Sequence, residues 1–425
     1  MFDRLIKFLS SLKLTVVLLA LGLVLVFVGT LAQVHEGLYN AQTRFFKSWF
    51  VVGATLFGTK MPWLILPGGY TIGSALFVSL VTAHFTRFHW TWRRSGIFMT
   101  HLGVILLLLG QLGTDMLSTE SAMRLEAGQT KNYSEDFHAC ELALINQSLP
   151  DDEEVVSIPE RFVRAKGEIK HPQLPFTVKV REYWPNSMVE SATEGVKPPV
   201  AVVPHVTAGY GKKVWVFPLP VTQDMESRNI PSATVEVFAG TESKGIWLVT
   251  AQSSASQSFE VDGKPWGLAL RFKRYYKPYS LTLLDFTHDR YPGTDLPKDF
   301  RSRIRIDHPA KNERRETEIY MNNPLRYAGL TFYQLQMVDE QTAREAMARN
   351  PGEKVTPSST FQVVKNPSWL TPYLACVMVG AGLAVQFLIH LVEFARKRKT
   401  PVPAAANNVK AKNNQPRKGA EIAKK

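Results

Sequence analysis

Three histidines stand in or beside long apolar runs of this sequence, where an ionisable ring is expensive to keep. His84 closes one run, His101 lies inside the next, and His390 lies near the end of the last. Imidazole is a proton carrier and the commonest metal ligand, so each position is a candidate for chemistry. His84 and His390 sit close to basic flanks and can be read as reaching the membrane surface. His101 resists that reading, because helical rise puts it roughly 10 Å below the basic residues Arg93 and Arg94. The same run carries Gly96, Gly103 and Gly110, one small residue per heptad, which lets another backbone approach closely. His101 points roughly 140° away from that stripe. One face can then pack within the protein while the histidine faces a ligand or a second subunit.

Little else in the sequence has the pattern of a reactive site. It contains no nucleophile elbow, P-loop or H-E-x-x-H. The acidic run Asp151–Glu154 lacks the glycine and spaced ligands of a calcium loop and reads as solvated. Of the two cysteines, Cys140 lies in polar sequence and Cys376 in an apolar run. Neither forms C-x-x-C or C-x-x-C-H, which excludes a thioredoxin-like pair and a c-type cytochrome. Placed in different compartments, they predict no disulfide, and each reads as a small buried hydrophobe.

The elements that must position these residues are membrane helices. Apolar runs cover Leu14–Ala32, Tyr70–Phe85, Ile97–Leu112 and Leu370–Phe394, near the length a bilayer requires. The first is too long for a signal peptide core and reads as retained. The net charge of +13 raises the question of nucleic acid, but the cations flank the apolar runs. Arg4, Lys7 and Lys13 precede the first, Arg87, Arg93 and Arg94 separate the second from the third, and Arg396–Lys399 follows the fourth. Such clustering marks the cytoplasmic side of a membrane. The expected fold is therefore a membrane protein with four transmembrane α-helices and a large extracytoplasmic, mainly-β domain between helices 3 and 4.

The expected boundaries are a cytoplasmic basic N-terminus at 1–13, spans at 14–32, 70–86, 96–115 and 369–394, and a basic cytoplasmic loop at 87–95. Residues 33–69 and 116–368 fall outside the cytoplasm, and 395–425 form a polar tail expected to be disordered. Within 33–69, the mixture of Arg44 and Lys47 with Phe45, Phe46, Trp49 and Phe50 suits either a helix lying in the interface or a packed external loop. In the large segment, Phe176–Tyr183, Lys213–Leu219, Gly245–Thr250, Gly267–Phe272 and Ser280–Thr287 alternate in strand fashion between turn residues. That spacing predicts a β-sandwich or an open barrel.

Several segments resemble the ResB family, also called CcsB, of system II cytochrome c biogenesis. They are Ser10–Gln33 with its G-T-x-x-Q end, His101–Thr114 (HLGVILLLLGQLGT), Leu284–Ser302, Asn322–Gln334 (NNPLRYAGLTFYQ) and Asn366–Trp369. The resemblance implies a subunit of a cytochrome c synthase in the cell (inner) membrane, its large domain on the periplasmic side. With a CcsA/ResC-like partner, such a protein helps carry heme b across the membrane and attach it to apocytochrome c. The synthase is a heme lyase of which this chain is one non-autonomous part, and a thioredoxin-like thiol reductant is a further implied partner. The tryptophan-rich heme signature belongs to the CcsA-like partner, and here the nine tryptophans are scattered. His101 becomes the candidate axial ligand, with His84 and His390 as alternatives; no residue is assigned as catalytic, and no metal other than heme iron is implied. Two other readings stay open: an electron-carrying b-type cytochrome, which would pair His101 with His84 or His390, and a scaffold that holds apocytochrome without touching heme.

Overall fold

A computed structural model describes residues 2–56, 59–87, 91–148, 153–192, 200–222, 228–253, 255–290, 297–349 and 355–399. The helices are α1 (Phe2–Leu9), α2 (Leu12–Glu36), α3 (Leu38–Ala41), α4 (Gly69–Arg87), α5 (Ser95–Leu117), α6 (Glu160–Arg164), α7 (Glu340–Arg349) and α8 (Thr371–Lys399). Three segments are long and apolar enough to cross a membrane: Leu12–Glu36, Trp92–Leu117 and Thr371–Lys397. The helix α4 has 19 residues and is not among these three, since Thr71, Ser74, Ser79, Thr82, His84 and Thr86 dilute its apolar character. Residues 395–399 of the expected tail continue α8, while 400–425 fall outside the described residues, as do 88–90 of the basic loop and half of the acidic run.

The long helices form a series of contacts. Thr15 on α2 meets Ser79 on α4, their hydroxyl oxygens 3.2 Å apart, and α4 lies lightly against α5. The α5–α8 contact is far closer. An added Cβ at Gly96 would run into the Gly382 carbonyl oxygen, and one at Gly103 would stand 2.7 Å from Val379 Cγ2. One at Gly110 would meet Thr371 Cγ2 at 2.7 Å. Small residues are what allow this approach where the hydrophobic effect between helices is absent.

Between α2 and α4 the chain is not one continuous interfacial helix; it is closer to the packed loop, folded on α2 and α4. The short α3 and one π-turn at Gln42–Phe46 lead into an antiparallel hairpin of β1 (Phe50–Leu56) and β2 (Thr59–Pro67). Phe45 and Val51 are buried against Leu25, Val28 and Ala32 of α2 and Ile72 of α4. Alternation in the hairpin leaves Phe50, Val52, Trp63 and Ile65 exposed on its other face.

The β-rich domain begins as α5 ends. Its strands are β3 (Thr119–Glu126), β4 (Thr130–Asn146), β5 (Glu154–Pro159), β6 (Glu168–Ile169), β7 (Thr177–Trp184), β8 (Ser187–Ser191) and β9 (Val214–Pro218). They continue with β10 (Ser232–Ala239), β11 (Glu242–Thr250), β12 (Gln257–Val261), β13 (Lys264–Arg290) and β14 (Pro297–His308). The last four are β15 (Glu313–Tyr320), β16 (Leu325–Tyr327), β17 (Leu330–Val338) and β18 (Ser358–Lys365). A large sheet runs β15-β14-β13-β4-β3-β18-β17-β16, with β12 on β13 and β5 on β4. A smaller sheet runs β11-β10-β7-β6, and β8 pairs with β9.

Two cores result. In the first, the smaller sheet packs on one end of the large sheet, bringing Val178, Val180, Val235 and Val237 against Leu142, Leu144, Leu268 and Leu270. The second lies where the large sheet curls around Leu125, Leu281, Ile304, Phe332 and Phe361. The two expected strands Gly267–Phe272 and Ser280–Thr287 are one long strand, β13, that serves both. Its inward residues are even-numbered in the first core and odd-numbered in the second. The change of parity falls where pairing with β4 slips, first between Phe272 and Arg274 and then between Tyr276 and Leu281. Pro278 lies in the second slip; it has no N–H to give the ladder, so it belongs at an irregularity.

The junction with the membrane is direct. β3 pairs with β18, the final pair being Thr119 with Lys365, and these strands continue into α5 and α8. Asn366 Nδ2 donates to Thr114 Oγ1 at 3.3 Å across the joint. One antiparallel strand pair thus becomes one helix pair, which fixes the β-domain relative to α5.

Candidate functional site: the α4–α5 seam

The glycine stripe of α5 faces α8, and His101 faces α4, where it meets His84. The two imidazole centroids are 6.2 Å apart at an interplanar angle of 57°. His101 is half-buried. His84 is buried, its ring 4.6 Å from that of Phe98 and edge-on to Phe85 at 5.7 Å. The expected escape of His84 to the membrane surface is therefore corrected: neighbouring aromatic rings enclose it. His390 is exposed on α8 and shares a 3.0 Å hydrogen bond with Gln386. That glutamine also accepts from the Ile97 N–H at 3.3 Å and donates to the Arg93 carbonyl at 3.2 Å. His390 belongs to the staple between α8 and the start of α5, not to the seam.

Helical periodicity explains why the two histidines share a seam with a second polar group. On α5, residues seven, eleven and fourteen positions beyond His101 are Leu108, Leu112 and Asp115. On α4, the residues at the same offsets before His84 are Phe77, Gly73 and Tyr70. Offsets of 7, 11 and 14 fall within about 60° of one another on an α-helix. The antiparallel pair therefore meets His to His at one end and Tyr to Asp at the other, roughly 20 Å away along the helix. Tyr70 Oη donates to Asp115 Oδ2 at 2.6 Å, and Lys47 Nζ lies 2.6 Å from Asp115 Oδ1. The repeated offset was a legible signal, missed because it pairs two runs and is invisible in either alone. Between the two ends lies a cavity of about 400 Å³ lined by Gly73, Ser74, Phe77, Leu108 and Leu112, with Phe46 and Lys47 at the mouth.

The other sequence candidates separate clearly. Phe332 in the NNPLRYAGLTFYQ segment is fully buried in the second core, while Tyr333 and Leu335 point outward. Ala328 and Gly329, both at positive φ (48° and 75°), form the two-residue turn between β16 and β17, the geometry favoured by the twist of a hairpin. The outer side of that hairpin and the start of α8 enclose a groove of about 490 Å³ lined by Arg326, Tyr333, Trp369 and Tyr373. The guanidinium of Arg326 lies 5.0 Å from the Trp369 ring centroid. Cys140 is buried as expected, its thiol pushed far up by desolvation, first of all, and by Glu160. Cys376 is instead exposed on the side of α8. Among the described residues, no group of three or more His, Cys, Asp or Glu side chains could hold a metal ion.

The family model for ResB-like proteins matches residues 88–356, from just before α5 to just before β18. The match includes His101 and the NNPLRYAGLTFYQ segment, with His84 and His390 outside it. Protein NrfI of Wolinella succinogenes is 35% identical over 80 residues, which is 19% of this chain and 9% of that protein. The matched stretch is thus a small part of that relative. The family match covers more than half of the present sequence, which has three helices long and apolar enough to cross a membrane and a large β-domain. The chain belongs to the ResB-like family, and its setting is cytochrome c biogenesis.

Proposed function

We propose that this chain is the heme-handling subunit of a two-part cytochrome c synthase, acting with a CcsA/ResC-like membrane partner. The observation that carries the reading is the placement of His101 beside His84 in an apolar seam. Heme iron is held by axial imidazole in many proteins, and here heme is cargo rather than a resident group. His101 is the first candidate ligand and His84 the second; the location of His390 argues against it. What the chain's own residues contribute is a polar contact held among aromatic and aliphatic side chains, which favours a planar apolar ligand over water.

In this proposal α4 is a fourth span, paired with α5 despite its polar residues. The basic residues around Arg93 and Arg94 set the loop before α5 in the cytoplasm. The β-domain then lies on the periplasmic side of the inner membrane, where apocytochrome c and a thioredoxin-like reductant would meet it. The domain boundaries move to the helix ends at 12–36, 69–87, 95–117 and 371–399, with 400–425 as a cytoplasmic tail. Thiol attachment of heme is left mainly to the partner, as the family resemblance implies.

The test is His101→Ala in the complex purified with its partner. Heme content and holocytochrome c yield should both fall while the protein level holds, and added imidazole should restore part of the yield. Normal heme content in this variant would overturn the ligand assignment. The proximity of His84 to His101 also favours a second reading, a b-type heme held by this chain alone. A heme spectrum from the chain without its partner, lost in both His84→Ala and His101→Ala, would select that reading.

A further inference from the structure

The seam between α4 and α5 holds more than its histidines. Its outer half is an apolar cleft, open to the side, whose lining is small where it needs to be. A Cβ at Gly73 would meet nothing within 4 Å, so the cleft has unfilled room at that wall. The volume of about 400 Å³ is in the range of small-molecule sites.

Its mouth is polar and ordered. Lys47 is 53% exposed while Asp115 is 17% exposed, so the carboxylate is the inner member of the pair and the ammonium the outer. Asp115 is held from both sides, by Lys47 and by Tyr70. An apolar cleft with a half-exposed cation at its outer end has the shape and charge order of an amphiphile: hydrocarbon inside, negative group at the rim. An ammonium at this depth can exchange part of its contact with Asp115 for an incoming anion without being moved.

We propose that the outer half of the α4–α5 seam binds a membrane-dissolved amphiphile with an anionic head, the head at Lys47 and the apolar body between Gly73 and Leu112. Two molecules share that chemistry, an anionic phospholipid and a carboxylate-bearing porphyrin. Binding here needs neither histidine, so the proposal stands or falls apart from the heme ligand assignment.

The experiment uses the full chain in detergent, stripped of lipid. Phosphatidylglycerol and phosphatidylcholine are offered separately and read by native mass spectrometry, and hemin is titrated and read by absorbance. The principal variant is Gly73→Leu, which places its side chain in the open space and improves helix propensity. Gly73→Ala is the milder second variant, and monodisperse elution checks folding of both. Binding of at least one anionic probe should fall tenfold or more in Gly73→Leu and less in Gly73→Ala. Phosphatidylglycerol should exceed phosphatidylcholine in the wild type, and the preference should vanish in Lys47→Met/Asp115→Asn. Cleft binding should persist in His101→Ala, which also distinguishes hemin held here from hemin held at the histidines. Unchanged binding of both anionic probes in Gly73→Leu would overturn the proposal. So would equal uptake of the two lipids with no uptake of hemin, or no uptake of any probe by the wild type.

Discussion

The helix α5 has two faces made by opposite rules. Toward α8 its glycines remove side chains until backbone nearly meets backbone, leaving no space to fill. Toward α4 it carries leucines, a histidine and an aspartate, and contact is made chiefly at the ends, with a cavity between. The closed face runs straight into the β3–β18 strand pair and acts as a frame for the β-domain. The open face keeps polar groups that a purely structural seam would have no reason to retain, because each costs free energy in an apolar surround. One helix can thus be fixed on one side and receptive on the other, the frame holding the receptive side in place.

The largest expected effect comes from closing that difference. Gly96→Leu drives a side chain into the Gly382 carbonyl, and backbone there cannot yield without separating α5 from α8. The variant should fail to accumulate in membranes, whereas Gly73→Leu across the helix pair should accumulate at the wild-type level. Immunoblots of membrane fractions with limited proteolysis would show this, and normal accumulation of Gly96→Leu would abolish the distinction between the faces.

A similar contrast exists within one strand of the β-domain, and it is the next largest. Phe332 is in the core and its neighbour Tyr333 is 40% exposed in the groove beside α8. Phe332→Ala should cost about 3–5 kcal/mol, seen as protease sensitivity of the β-domain. Tyr333→Ala should change stability by no more than about 0.5 kcal/mol, and in co-purification with the partner it is the variant expected to lose recovery. If Tyr333→Ala is stable and fully partnered, the groove has no docking role.

Charge offers a third contrast. Lys47 stands at a half-open mouth, while Lys277 is buried in the β-domain, donating to Ser134 Oγ at 2.7 Å and the Tyr275 carbonyl at 2.9 Å. Burial pulls Lys277 down from 10.5 to about 8. Between pH 8 and about 10 the unfolded chain therefore holds a proton that the folded chain has lost, and stability rises with pH. Below pH 8 both states are protonated and this group contributes no slope. Above pH 10 the direction reverses, because burial pushes Tyr210 and Tyr275 up to about 12 and the unfolded chain gives up those protons first. Unfolding midpoints of the full chain, followed across this range, should pass through a maximum. Lys277→Met should flatten the rising limb, to which the buried Lys131 also contributes, and leave the falling one.

The smallest expected effect is at the turn before β17. Ala328 sits at φ 48° in the left-handed region, which a Cβ disfavours. Ala328→Gly should stabilise the domain by about 0.5–1 kcal/mol, the strain relieved less the larger entropy that glycine loses on folding. A fall in unfolding midpoint would mean that the alanine methyl packs in the groove and contributes more than its backbone strain costs.

Much of this molecule follows from its sequence alone. Apolar length and charge placement marked the long helices, because a bilayer demands about 20 apolar residues and cations stay on one side. Alternation marked the strands β7, β9 and β11, because a half-buried strand shows its period of two directly. The stripe Gly96, Gly103 and Gly110 announced one close helix contact, although not its partner. The motifs around His101 and Asn322–Gln334 carried the family. The tertiary structure decided what depends on pairs of distant segments. It merged two expected strands into β13, since the slip around Pro278 flips inward parity and makes one continuous strand look like two. It folded Phe50–Leu56 and Thr59–Pro67 into a hairpin, because Val51, Leu64 and Leu66, with Phe45 before them, join a core with α2 and α4 while the alternate residues face away. It turned His84 inward onto Phe98 and left His390 outside the seam, although each stands in or beside an apolar run and near basic residues. Periodicity states which residues share a face of one helix; which two faces meet is set by the packing of the whole, and the α4–α5 seam exists only there.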